Sequence, residues 1–194
     1  MHIRQSGSGD AEAVSRLVLL AIGDIAWRLT GGRTEEAVLA GLAEYYRNPG
    51  NRFSAERHAL LADGDNEVAG TILCYGGGEA EALYAPVAQK LSGAGIHGVV
   101  QEREADTDEY YIDALAVFPA YRGRGCAKTL IGHAEAEAAR RGYGRIGLNV
   151  DVDKDQAYAL YARLGFEEDK RIEINGHPFR HMSKMLVLQP TDDS

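Results

Sequence analysis

The stretch that most constrains the fold is Tyr121-Arg122-Gly123-Arg124-Gly125-Cys126-Ala127. It joins a run that reads as a buried strand, residues 110–117, to one that reads as an amphipathic helix, residues 126–141. Ala127, Leu130, Ile131, Ala134 and Ala138 recur on one face of that helix. Gly123 and Gly125 let the backbone turn tightly with its N–H groups outward. The helix start adds unpaired donors and the positive end of its dipole. Such a junction holds an anion, and a pyrophosphate suits it best. Arg122, Arg124 and Lys128 place positive charge here, in a chain with 21 Lys+Arg against 29 Asp+Glu and a net charge of −8. No Gly-Lys-Ser/Thr follows, so this is not a nucleotide P-loop. No third glycine stands at 128, so the dinucleotide fingerprint is incomplete as well.

A strand at residues 145–150 follows the helix, and strand-helix-strand predicts a right-handed parallel crossover. Residues 154–164 read as a short helix closed by Gly165. Residues 167–174 and 179–188 read as a hairpin turning through Asn175-Gly176-His177-Pro178. Upstream, residues 1–5 form a short strand and Asp10 is a candidate N-cap. Val14, Leu17, Val18 and Ala21 then mark a first helix. Thr34 caps a second helix carrying Val38, Leu42 and Tyr45, which Asn48-Pro49-Gly50 stops. Residues 58–62 and 68–75 form a hairpin that makes the sheet mixed. Residues 80–91 predict a helix broken at Pro86. The acidic run 102–109 reads as loop, and the tail 189–194 as frayed. With no linker or repeat, residues 1–194 read as a single domain.

The negative charge disfavours nucleic acid or an anionic membrane as partner. Cys74 and Cys126 are the only cysteines, which excludes a disulfide framework and fits a reducing compartment. The N-terminal residues lack the apolar core of a signal peptide, and the run 17–22 is too short to span a bilayer, so the expected location is cytoplasmic. His58, His97, His133, His177 and His181 have no metal-ligand spacing, and Asp151-Val152-Asp153-Lys154-Asp155 lacks the glycine and glutamate of a calcium loop. No metal is expected. Cys126 stands at a helix start inside the loop, where packing is its expected role.

The chain resembles the GNAT superfamily of acyl-CoA-dependent N-acetyltransferases. Arg122-Gly123-Arg124-Gly125-Cys126-Ala127 matches the family's Arg/Gln-x-x-Gly-x-Gly/Ala motif. About 30 residues on, Ala157-Tyr158-Ala159-Leu160-Tyr161-Ala162-Arg163-Leu164-Gly165-Phe166 matches its Ala-x-x-Leu-Tyr-x-x-x-Gly-Phe block. Lys154 stands where the family often has Asn. The close match spans residues 110–166. The resemblance implies an α/β (α+β) fold: a mixed, mostly antiparallel six- or seven-stranded sheet with a central parallel strand-helix-strand crossover, flanked by helices. The segment 76–109 is then a family-variable insertion that lines the acceptor pocket or makes a subunit contact, as in a homodimer.

The implied reaction is attack of a primary amine, on a small molecule or a peptide, on acetyl-CoA as cosubstrate. The amides from Gly123 to Ala127 would hold the pyrophosphate, helped by Arg122, Arg124 and Lys128. The pantetheine arm would pair with strand backbone at Leu115, Ala116 and Val117, and an N–H from this stretch would face the oxyanion. Freeing a lysine-like amine at pH 7 costs ~4.6 kcal/mol, from about 3.4 pKa units. Glu109 and Asp113 are the candidate bases, Glu109 because it sits where histone-acetyltransferase-like members carry theirs. Tyr161 is the candidate acid toward the leaving sulfur, and Asn149 a candidate to orient water or pantetheine. A non-catalytic acyl-CoA-binding regulatory module is the competing reading, and a Rossmann-type nucleotide domain a weaker third.

Overall fold

The computed structural model describes residues 1–97 and 103–187. The helical spacing of Val14, Leu17 and Val18 produces α1 (Ala11–Ile22), and these three side chains are buried. A short α2 (Asp24–Thr30), not evident in the spacing, follows at once. In α3 (Glu35–Arg47) the Thr34 hydroxyl accepts from the Ala37 amide, as a cap should. Asp10 does stand at the N-cap of α1, but its side chain bonds no amide of that helix: its carboxylate is taken by Arg4 and by the Gly7 amide, at the start of the 3-10 turn that precedes α1. Pro86 does not break α4 (Ala80–Gly93). Leu83, Tyr84, Val87 and Leu91 are buried along that helix, and their packing offsets the hydrogen bond lost at the proline.

Seven strands form one sheet, in the order β1-β2-β3-β4-β5-β7-β6. They are β1 (His2–Gln5), β2 (His58–Ala62), β3 (Val68–Gly76), β4 (Tyr110–Val117), β5 (Arg145–Asp151), β6 (Glu167–Ile174) and β7 (His177–Met185). All neighbours are antiparallel except β4 and β5. The expected crossover joins that pair through α5 (Cys126–Arg140), and α6 (Asp155–Arg163) follows β5. The last hairpin turns on Asn175 and Gly176 alone, both with positive φ, so β7 begins at His177, earlier than the spacing suggested. The tail 189–194 and part of the 76–109 segment, residues 98–102, lie outside the described residues.

Alternation along β2 and β3 sends neighbouring side chains to opposite faces. Leu60 and Leu73 pack with α1, α3 and α4, whereas Leu61 and Ile72 pack with α5 through Leu130 and Ile131. Burial of each such side chain contributes about 1.5–3 kcal/mol.

One irregularity in this sheet builds the site. β3 and β4 shift register between Leu73, opposite Ala114, and Cys74, opposite Ile112, so Asp113 is an extra residue on β4. Such a bulge bends and twists its strand. β4 pairs with β5 only from Tyr110 to Ile112. Beyond that point β4 follows β3 as far as Val117, while β5 follows β7 as far as Asp151. The two facing edges part and leave a wedge at their carboxyl ends, where ligands bind in such sheets.

Candidate active site

The wedge opens into a cleft of about 500 Å³, a volume suited to a small-molecule site. Asp113, Leu115, Asn149 and Tyr161 line it, together with residues of the α1–α2 junction. Three elements therefore bring expected site residues together: Asp113 and Leu115 on β4, Asn149 on β5 and Tyr161 on α6. Ala116 and Val117 continue the unpaired edge of β4 just beyond.

The Gly-rich loop lies between β4 and α5, and Arg122, Gly123, Arg124 and Gly125 are exposed. Gly123 and Gly125 have φ of 73° and 78°, a conformation L side chains rarely adopt. This turns the backbone so that, among the described residues, the amides from Gly123 to Lys128 have no hydrogen-bond acceptor; Thr129 is the first to bond back, to Gly125. Cys126 is buried, its thiol against the Tyr121 carbonyl and Met1, which makes it a packing residue. Arg122 Nε bonds to the Val117 carbonyl and ties the loop to the strand end.

Tyr161 packs edge-on against Phe166, with ring centroids 6.0 Å apart. Burial pushes its phenol up to about 12. Its hydroxyl has no hydrogen-bond partner among the described residues.

Arg52 and Glu104 also line the cleft, and neither belongs to a motif. Asn51 fixes the turn that carries Arg52: its side-chain amide bonds to the Tyr45 and Asn48 carbonyls, and its oxygen accepts from the Phe53 amide. The Arg52 guanidinium grips Asp113 through two bonds of 2.6 and 2.9 Å. Glu104 is held less closely, at 3.3 and 3.4 Å from the same guanidinium, and accepts from the Tyr111 hydroxyl at 3.3 Å. Asn149 donates to the Glu104 carbonyl and to Tyr111 Oη, which ties β5 to the loop before β4. Burial raises the Glu104 carboxyl above its ordinary range, against the lowering pull of Arg52. Its weak signal in the sequence was the acidic run before β4.

Glu109 lies elsewhere. It precedes β4, at the amino end of the strand, whereas the wedge opens at the carboxyl end. It is fully buried. Its Oε1 accepts from the Asp106 amide and sits 3.0 Å from His181 Nε2, and Arg145 is 3.6 Å from Oε2. His181 Nδ1 meets Asp169 at 2.6 Å. Asp106, Glu109 and His181 come close enough for their ligand atoms to share an ion, yet Arg145 and Lys170 already neutralise the carboxylates there.

The family described as Acetyltransferase (GNAT) family matches residues 25–166. A solved acetyltransferase shares 29% identity at a TM-score of 0.79, covering 96% of this chain and 100% of its own. A solved N-acetyltransferase from Staphylococcus aureus Mu50 shares 26% identity at the same TM-score of 0.79, covering 94% of this chain and 100% of its own. An uncharacterised protein of Mycobacterium leprae is 37% identical over 122 residues, which is 58% of this chain and 31% of that protein. The chain spans less than two thirds of the length of the curated relatives it matches. It belongs to the GNAT acetyltransferase family.

Proposed function

We propose that the protein transfers an acetyl group from acetyl-CoA to a primary amine by direct attack within a ternary complex. One observation carries the reading: an unpaired strand edge inside a cleft stands next to a run of free amides at a helix start. The amides from Gly123 to Lys128 bind the pyrophosphate, with Arg122, Arg124 and Lys128 as counter-charge. The pantetheine arm, a chain of amides, pairs along the open edge at Leu115, Ala116 and Val117. A backbone N–H of that edge faces the carbonyl oxygen as it gains charge, an interaction typically worth about 3 kcal/mol.

Tyr161 faces the leaving sulfur. Full proton transfer from a phenol near 12 to a thiolate near 8.5 would be uphill by ~5 kcal/mol. Tyr161 therefore acts as a hydrogen-bond donor to the sulfur, and passes a proton on only as another reaches it. Asn149 acts indirectly, by holding Tyr111 and the Glu104 backbone in place. Arg52 already holds Asp113, which makes Asp113 a buttress for the site rather than its base, and Glu109 acts as a buried structural partner of His181 and the Asp106 amide.

Thiol release from acetyl-CoA in the presence of primary amines and peptides with free N-termini tests the reading. Amine-dependent release is the expected result. Tight acetyl-CoA binding with no release to any amine would replace transfer by the non-catalytic acyl-CoA-binding module.

A further inference from the structure

We infer that Glu104 is both the anchor for the acceptor's ammonium group and the base that deprotonates it; this rests on the acetyl-transfer reading above. Asp24, which is exposed, and Asp151, whose Oδ1 accepts from the Asp153 amide, also line the cleft; three further carboxylates bear on that role. Glu109 is fully buried against His181 and the Asp106 amide and does not line the cleft, and the Asp113 side chain is 1% exposed and bound on both oxygens by Arg52. The Glu104 side chain keeps 17% exposure and lines the cleft. Its contacts to Arg52 are longer by more than half an ångström than the shorter Asp113 bond. One guanidinium faces two carboxyls and is matched to Asp113, which leaves Glu104, the more exposed of the two, with the weaker cationic partner. An ammonium entering the cleft can donate N–H bonds to the Glu104 oxygens that Arg52 holds only loosely.

The charged and titratable groups facing Glu104 are Arg52, Asp113, Tyr75, Tyr84 and Tyr111. Burial pushes all three phenols above their ordinary range, so none of them exchanges a proton near neutrality. In the proposed step the ammonium gives one proton to a Glu104 oxygen: an N–H bond breaks and an O–H bond forms. The freed lone pair forms the bond to the acetyl carbon, and the C–S bond breaks with its electron pair leaving on sulfur. The second nitrogen proton reaches that sulfur by way of the Tyr161 hydroxyl. Glu104 then returns its proton to water, so the products are amide, thiol and one proton.

The test compares Glu104→Gln and Glu104→Asp with the unaltered protein, using butylamine, an ammonium at pH 7, and methoxyamine, neutral at pH 7. Glu104→Gln leaves the Arg52–Asp113 pair matched, and stabilisation by acetyl-CoA reports that the fold and cofactor site persist. The expected result is a fall in kcat/KM of about 10²–10³-fold for butylamine, a much smaller fall for methoxyamine, and partial recovery in Glu104→Asp. Equal losses with both amines, or no loss with either, would overturn the assignment while leaving acetyl transfer intact. An unaltered protein inert toward both amines and toward peptides with free N-termini would overturn the transfer reading and this assignment with it.

Discussion

His58 is buried beneath α1, with Nδ1 3.0 Å from Thr71 Oγ1 and no hydrogen-bond partner for Nε2. Burial lowers its pKa to about 4. The unfolded chain therefore binds a proton first as pH falls from about 6.5, and up to about 3 kcal/mol of stability is lost on the way to pH 4. His181 runs the other way. Burial opposes its charged form, but hydrogen bonds to Glu109 and Asp169 prevail and raise its pKa. The stability it contributes is full below about pH 6.5 and is lost as pH climbs through the raised value. Urea midpoints measured from pH 4 to 9 should pass through a maximum slightly on the acid side of neutral. His58→Gln should flatten the acid limb and His181→Gln the alkaline one; a shared response of both limbs to either change would refute the assignment. Tyr161→Phe should lower kcat by about 10–100-fold with acetyl-CoA affinity little changed, as expected for a group that meets charge only in the transition state. An unaltered kcat would remove Tyr161 from the chemistry.

Two elements carry functional geometry in their backbone. At Gly125, the residue before α5, φ is 78°. Gly125→Val would place a branched side chain in left-handed backbone, at a cost of roughly 1–2 kcal/mol, and turn the amides away from their common focus. Calorimetric titration should show acetyl-CoA binding weakened at least about tenfold, with the α-helical content retained. In β5, a side chain at Gly147 would overlap the Glu109 carboxylate. Gly147→Ala should destabilise the protein by about 1–3 kcal/mol by overpacking, readable as a lower denaturation midpoint. Neither glycine could be assigned these jobs alike from the chain: Gly125 sits in a motif, but Gly147 is an ordinary strand glycine until Glu109 is seen against it.

For the molecule as a whole, a ligand that spans β4, the loop and α5 should stabilise the fold it bridges. Acetyl-CoA at about 100 times its Kd would add ~2.7 kcal/mol and raise Tm by roughly 5–10 °C at this size. NAD should leave Tm unchanged, since the third glycine of its fingerprint is missing; an equal rise with NAD would redirect the site to dinucleotides.

Most of the strands and helices were legible along the chain because alternation, helical spacing and caps act over a few residues. The first hairpin, the capped α3 and the strand-loop-helix of β4 and α5 all rest on such local rules, and so do the free amides of the loop. Pro86 and α2 were not legible, since packing of α4 overrides a proline's local cost and α2 is too short to show a period. Local pattern along the chain was enough for a mixed sheet, a parallel crossover and a glycine-turned loop with free amides. Which carboxylates meet which cations came from the folded chain alone. Arg52 lies 61 residues from Asp113 and 52 from Glu104, and Glu109 lies 72 from His181. Side-chain alternation gives the face a charge must take; the bulge at Asp113 and the parting of β4 from β5 set what stands opposite, and so leave Glu104 in the cleft while Glu109 is buried against His181 at the other end of β4.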